Sequence, residues 1–183
     1  IFYSIVRVMF LNFFKIIVLL FANVSFAFDF NQKETNVSVS IIPNNGVISI
    51  DDDYYFGIKF DLKEGWKTYW KNPGDAGAPL SIDWEDTSYT NHLKILFPFP
   101  KKFVEKGITT IGYENKVIFP VKIERNGLSS IKKNINLNYL ICKDICIPVS
   151  ETRLLEINFK NKSQPSEGFI NNYKTVPLKN QNN

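Results

Sequence analysis

The chain has 183 residues, of which 44% are hydrophobic, 15% aromatic and 22% charged. This balance excludes a mostly disordered or collagen-like chain, and the length favours one domain with short appendages. The formal net charge of +4 comes from basic residues scattered along the sequence, which therefore lacks the concentrated basic patch of a nucleic-acid-binding protein. Because the chain has one His and two Cys, we expect no transition-metal site and no cofactor.

Residues 1–27 have the pattern of a secretory signal peptide. They contain no acidic residue, and Lys15 precedes an apolar stretch at residues 16–22. Ser25 and Ala27 supply the small side chains that signal peptidase needs. We therefore predict that this segment is cleaved and that the protein is exported to an oxidising compartment.

The natural sequence is expected to start at Met9, the only methionine, and the mature protein to start near Phe28. An uncleaved membrane anchor is the alternative, because residues 10–27 are about long enough to cross a bilayer. No later segment has about 18 apolar residues in succession, so we expect the residues after 27 to be soluble.

Residues 28–160 predict a single all-β domain. Short runs of β-branched and aromatic residues alternate at a period of two, and turn-forming residues separate the runs. The predicted strands are Val37–Ile42, Val47–Ile50, Tyr54–Leu62, Trp66–Trp70, Ile82–Trp84, Leu93–Phe97, Thr109–Tyr113, Val117–Glu124, Ile135–Cys142 and Arg153–Phe159. This many short strands predicts an immunoglobulin-like two-sheet β-sandwich rather than a barrel. Residues 161–183 are predicted to be a polar tail with a short helix around Glu167–Tyr173.

The two cysteines stand close together, in the sequence Cys142-Lys143-Asp144-Ile145-Cys146. In one extended strand their Cα atoms would lie roughly 13 Å apart, beyond the ~7 Å limit for a disulfide. The segment must therefore bend, and a tight loop through the three middle residues would place the two cysteines opposite each other on neighbouring strands.

Two interpretations of this pair remain open from the residues alone. The first is a structural bridge, although closing so short a loop contributes only about 2 kcal/mol. The second is a redox pair, because short exposed disulfides are more easily reduced. Lys143 would favour a thiolate on Cys142 and Asp144 would oppose it, so these charges do not identify the nucleophile.

Three blocks of the sequence together resemble the amino-terminal periplasmic domain of DsbD-type thiol:disulfide interchange proteins, in the variant related to ScsB. They are Gly65–Gly77, Ile111–Glu114 followed by Val117–Val121, and Tyr139–Pro148. The likeness covers roughly residues 35–160.

The resemblance implies an immunoglobulin-like sandwich located in the periplasm. It also implies that Cys142 and Cys146 take electrons from a membrane-embedded DsbD/ScsB-type reductase in trans and pass them to oxidised periplasmic proteins, as a protein-disulfide reductase does. By analogy with the family's second cysteine, Cys146 is expected to attack clients. This chain has a shorter Cys-x-x-x-Cys spacing than the better-known DsbD domains.

The resemblance further implies a cap, in which the loop at Asn72-Pro73-Gly74-Asp75 lies over the cysteines and limits access by other thiols. The modulating or cap candidates are Lys143, Asp144, Tyr69, Trp70, Asn72, Pro73, Gly74, Asp75 and Tyr113. For the rings, core packing is the alternative that we favour. Alternation places Trp66, Thr68 and Trp70 on one face of a strand, and Tyr113 is expected in the core.

A binding or scaffold sandwich with a structural disulfide is the competing function. Conventional hydrolase chemistry is poorly supported, because His92 has no nucleophile motif around it and is expected to be a surface residue rather than a metal ligand.

Overall fold

The computed structural model describes residues 36–84 and 93–177. The predicted signal peptide, the expected start at Met9 and the single His92 lie outside these residues. Within the two ranges, no helix is long and apolar enough to cross a membrane.

The described residues form strands and one short helix. In chain order these are β1 (Val37–Ile42), β2 (Val47–Ile50), β3 (Asp53–Leu62), β4 (Lys67–Gly74), β5 (Ser81–Trp84), β6 (Leu93–Ile95), β7 (Lys101–Glu105), β8 (Ile108–Glu114), β9 (Lys116–Ile123), β10 (Ser130–Cys142), β11 (Cys146–Asn158), β12 (Lys162–Ser163) and α1 (Glu167–Lys174).

The strands form two six-stranded sheets. Sheet 1 has the order β12-β2-β3-β9-β6, and β1 also pairs with β3. Sheet 2 has the order β11-β10-β4-β8-β7, and β5 also pairs with β10. The strand pairs are antiparallel except for the short parallel pair of β12 with β2. The predicted immunoglobulin-like sandwich is confirmed.

Alternating apolar residues from both sheets form one core. Phe60 of β3 meets Phe119 of β9 and Tyr139 of β10 in edge-to-face contacts, with ring centroids 5.4 and 4.8 Å apart. Ile135 and Leu137 of β10 are fully buried in the same cluster. Because every second residue of β10 from Ile135 to Ile141 enters this core, the residues between them must face away from sheet 1.

Helix α1 packs on the outside of sheet 1. Ser166 caps it, because its Oγ accepts a hydrogen bond from the backbone N–H of Phe169 at 3.2 Å. The Phe169 ring is fully buried against Ile48, Tyr55 and Ile118 of the sheet. The predicted helix is confirmed and is one residue longer than expected.

Several strands are longer than the sequence predicts. Strand β10 begins at Ser130 rather than at the predicted Ile135, and β11 begins at Cys146 rather than at the predicted Arg153, so the two strands pair continuously. Strand β7 was not predicted, because four of its five residues are exposed and its pattern is not apolar. Strand β4 continues through the predicted turn to Gly74, with an irregular register after Tyr69.

Candidate functional site

The disulfide joins the last residue of β10 to the first residue of β11. Thirteen successive residue pairs align these strands, and Cys142 opposite Cys146 is the pair at the turn. Their Cα atoms are 4.1 Å apart. The backbone N–H of Lys143 donates to the Ile145 carbonyl at 3.0 Å, which closes the three-residue loop. The predicted bend and the opposed cysteines are confirmed.

The two cysteines differ in their exposure. Cys142 is only 5% exposed, because β10 lies inside the sheet and Cys142 also pairs with Lys67 of β4. Cys146 is exposed and begins β11, which is an edge strand in the described part of the chain. A thiol or disulfide that arrives from solvent therefore meets Cys146 first. The charges of the loop do not distinguish the two cysteines, whereas their exposure does.

Two basic side chains close to the disulfide in sequence or register, Lys67 and Lys143, contact other protein groups. Lys67 shares the outer face of sheet 2 with Cys142, but its ammonium forms an ion pair with Glu105 and lies 4.8 Å from the centre of the Phe103 ring. Lys143 donates from Nζ to the backbone carbonyl of Glu64 at 3.4 Å. Both ammonium groups are thus anchored to protein groups in the oxidised state. Asp144 lies exposed in the loop itself.

Of the predicted aromatic candidates, Trp70 and Tyr113 face the interior. Trp70 packs partly buried against the core with Trp66, as the alternation predicts. Tyr113 is buried against Phe119, and its hydroxyl donates to the Pro98 carbonyl at 2.8 Å. Burial raises the pKa of Tyr113, which keeps this hydroxyl protonated.

Tyr69 has a different environment, because it points to the outer face and is nevertheless buried. A Cβ placed on Gly77 would lie 2.4 Å from the Tyr69 ring, so the glycine packs directly on this ring. Pro79 forms an isolated parallel bridge with Tyr69. Burial, and secondarily the Glu105 carboxylate, raises the pKa of Tyr69. The segment around Gly77 thus covers the outer face of β4.

The predicted cap segment, Asn72–Asp75, is fastened to β8. The backbone N–H of Asp75 donates to the Thr109 carbonyl at 2.9 Å, and the Thr109 N–H donates to Oδ2 of Asp75 at 2.8 Å. Gly74 pairs with Thr110 of β8. Glu114, four residues further along β8, pairs with Lys67, which in turn pairs with Cys142. A cap role for this segment stays a prediction.

A groove that the sequence did not predict includes the pair of Leu140 and Pro148, two residues along the hairpin from the cysteines. Its rim and floor include Pro79, Ser81, Asn138, Leu140, Pro148 and Ser150, and its volume is about 350 Å³. We call it the hairpin groove. The signal available in the sequence was the hairpin itself, because residues two before Cys142 and two after Cys146 must share the cysteines' face.

Within residues 36–84 and 93–177, no three His, Cys, Asp or Glu side chains cluster as metal ligands would.

Comparison with known proteins identifies the family. The family model of the N-terminal domain of thiol:disulfide interchange protein DsbD matches residues 22–157. The crystal structure of the N-terminal periplasmic domain of ScsB from Proteus mirabilis is similar, with a TM-score of 0.54 and 22% identity. That match covers 77% of this chain and 61% of the other, so this chain spans about three fifths of the ScsB structure's length.

The Neisseria meningitidis DsbD N-terminal domain, crystallised in the reduced form, has a TM-score of 0.44 and 14% identity over 71% of this chain and 92% of that one. No curated protein sequence matches the chain significantly. The resemblance seen in the three sequence blocks is confirmed by the family match. The chain belongs to the DsbD N-terminal domain family, whose function is thiol–disulfide exchange.

Proposed function

We propose that the protein is a periplasmic electron-transfer domain in which Cys142 and Cys146 cycle between a disulfide and two thiols. The observation that carries this proposal is a disulfide in a three-residue hairpin loop, with one buried and one exposed cysteine. Such an arrangement provides an accessible attacking sulfur and a sheltered sulfur held opposite it. Family membership and the predicted signal peptide support the periplasmic location.

The reaction follows from this geometry. The Cys146 thiolate attacks a client disulfide, forms a mixed disulfide, and expels the client's other sulfur as a thiolate. The Cys142 thiolate then attacks Sγ of Cys146, so the Cys142–Cys146 disulfide forms and the client's second thiolate leaves. Two electrons pass from the domain to the client. A dithiol reductant, which we propose to be a membrane-embedded reductase of the DsbD/ScsB type, returns the domain to its reduced state.

Single-cysteine variants test the order of attack. Cys142→Ser should retain attack by Cys146 but lose the resolving step, so it should accumulate a covalent complex with clients. Cys146→Ser leaves the buried cysteine and should trap far less. The double variant is the matched control that forms no complex. Non-reducing gels and mass spectrometry of a periplasmic extract read the result. Equal turnover by wild type and both single variants would contradict the exchange mechanism.

The reduction potential separates this function from a scaffold sandwich with a structural disulfide. We expect a potential of roughly −230 to −180 mV, which spans the values of glutaredoxins and protein disulfide isomerase. A potential below about −300 mV would indicate a structural bridge and would favour the scaffold function. Equilibration with glutathione buffers, followed by alkylation and mass analysis, measures it.

Mass spectrometry also tests the location. The predicted product is a mature chain that begins near Phe28 and is recovered from the periplasmic fraction. Recovery from membranes alone, with residues 10–27 intact, would contradict cleavage and favour the anchor.

A further inference from the structure

We propose that the hairpin groove is a polypeptide-recognition site that selects clients with an apolar side chain next to the reacting cysteine. This inference rests on the proposed exchange function and names the chemistry of its substrate. The occupant is an extended segment of the client, bound across the outer face of β10 and β11 beside Cys146.

The register of the hairpin places the groove next to the sulfur atoms. Leu140 pairs with Pro148, and this is the next pair from the cysteines whose side chains lie on the same face. Asn138 and Ser150 form the pair after that. Along this face, the disulfide is therefore followed by an apolar residue pair and then by a pair that carries amide and hydroxyl groups.

The segment that leads into β5 supplies the wall of the groove. Ala78 and Pro79 line it. Pro79 is held by its bridge to Tyr69, and Ser81 pairs with Asn138 of the floor. The wall and floor are thus joined by backbone pairing, so the groove exists before a client arrives and costs little to organise.

The apolar surface continues on the other side of Cys146. Ile145, at the tip of the loop, is 67% exposed. Cys146 therefore lies between Ile145 and the pair formed by Leu140 and Pro148. An exposed isoleucine beside a reactive sulfur gives up unfavourable contact with water when an apolar client segment covers it.

Dimensions favour an extended peptide as the occupant. Successive residues of an extended chain advance about 3.3 Å, so a client residue one or two positions from the reacting cysteine reaches the apolar pair of the groove. Asn138 donates from Nδ2 to Asp83 at 2.7 Å, which orients the side-chain amide, and its carbonyl oxygen can accept a hydrogen bond from a client N–H. The exposed Ser150 hydroxyl can donate or accept.

The uncharged lining of the groove disfavours ionic occupants. None of the described residues that line the groove carries a charge at neutral pH. A small disulfide that bears carboxylates, such as oxidised glutathione, would find no cationic partner there. A neutral segment with an apolar side chain would lose water contact without burying a charge.

The test uses reduced protein and three disulfide-linked peptide dimers with blocked ends, in which Leu, Ser or Glu flanks the cysteine. Each second-order rate is divided by the same protein's rate with 2-hydroxyethyl disulfide, which has no flanking residues. Wild type should react about tenfold faster with the Leu dimer than with the Ser dimer, as expected for partial burial of leucine.

Two variants should abolish this preference. Leu140→Ser and Pro148→Ser should each bring the Leu and Ser rates to within about twofold of each other. Leu154→Ser is the matched control, because Leu154 is 51% exposed on the same face of β11 but four same-face positions from Cys146, and it should keep the full preference. Pro148→Lys should move the preference to the Glu dimer, a gain that misfolding cannot produce.

Equal wild-type rates with the Leu and Ser dimers would refute the groove inference while leaving the exchange function intact. A loss of preference in Leu154→Ser as large as in Pro148→Ser would also refute it. Absence of reaction with every disulfide, including 2-hydroxyethyl disulfide, would refute the proposed function and this inference together.

Discussion

Reduction of the Cys142–Cys146 disulfide should lower the free energy of unfolding by about 2 kcal/mol and leave the sandwich folded. The bridge closes a loop of five residues, 142 through 146. In the chain-entropy model, a loop of this size restricts the unfolded chain by about 7 cal/mol/K, which is about 2 kcal/mol at 25 °C. The disulfide is therefore a minor contributor compared with a stability of roughly 5–15 kcal/mol for a typical domain.

The fold should survive because the hairpin does not depend on the bond. Twelve of the thirteen residue pairs between β10 and β11 do not involve the cysteines. Ile135 and Leu137 of β10, and Leu155 of β11, are fully buried and hold the hairpin on the core. The two thiols would stay opposite each other, which is the arrangement that resolving a mixed disulfide requires.

Guanidinium unfolding with and without a phosphine reductant measures this difference at pH 7. Leu137→Ala provides the comparison, because removing a fully buried leucine should cost about 2–5 kcal/mol in either redox state. Loss of cooperative unfolding on reduction, or a decrease above about 4 kcal/mol, would refute the reasoning and favour the structural role of the disulfide.

Three further results are expected. Gly77→Ala should destabilise the fold by more than about 1 kcal/mol, because Gly77 has φ 111° and the new Cβ would meet the Tyr69 ring. Gly107→Ala is the control, because Gly107 has φ 82° but open space around it, and it should cost less. Thermal melts measure both variants. Tyr113→Phe should cost about 1–3 kcal/mol in chemical denaturation, because the buried Pro98 carbonyl loses its donor; no measurable change would contradict this. Stability should fall as pH rises above about 10, because burial raises the pKa of Tyr113 and the unfolded tyrosine ionises first. Denaturation at pH 9 to 11 should show a smaller fall in Tyr113→Phe.

The sequence alone was sufficient for the sandwich and for the paired cysteines. Period-two alternation identified most strands, since residues such as Phe56, Ile58 and Phe60 must all enter one core. The impossibility of bridging an extended Cys-x-x-x-Cys segment required a hairpin, and the structure contains it. These conclusions depend on local geometry, which neighbouring residues determine by themselves.

The tertiary structure decided features that depend on distant segments. Burial of Cys142 comes from its place between β11 and β4, and a pattern of five residues carries no information about the second neighbour. Tyr69 lies on the outer face by alternation yet is buried, because Gly77 and Pro79 return across it. The hairpin groove forms for the same reason. Exposure is a property of segments that folding brings together, so only the three-dimensional structure distinguishes the exposed Cys146 from the buried Cys142.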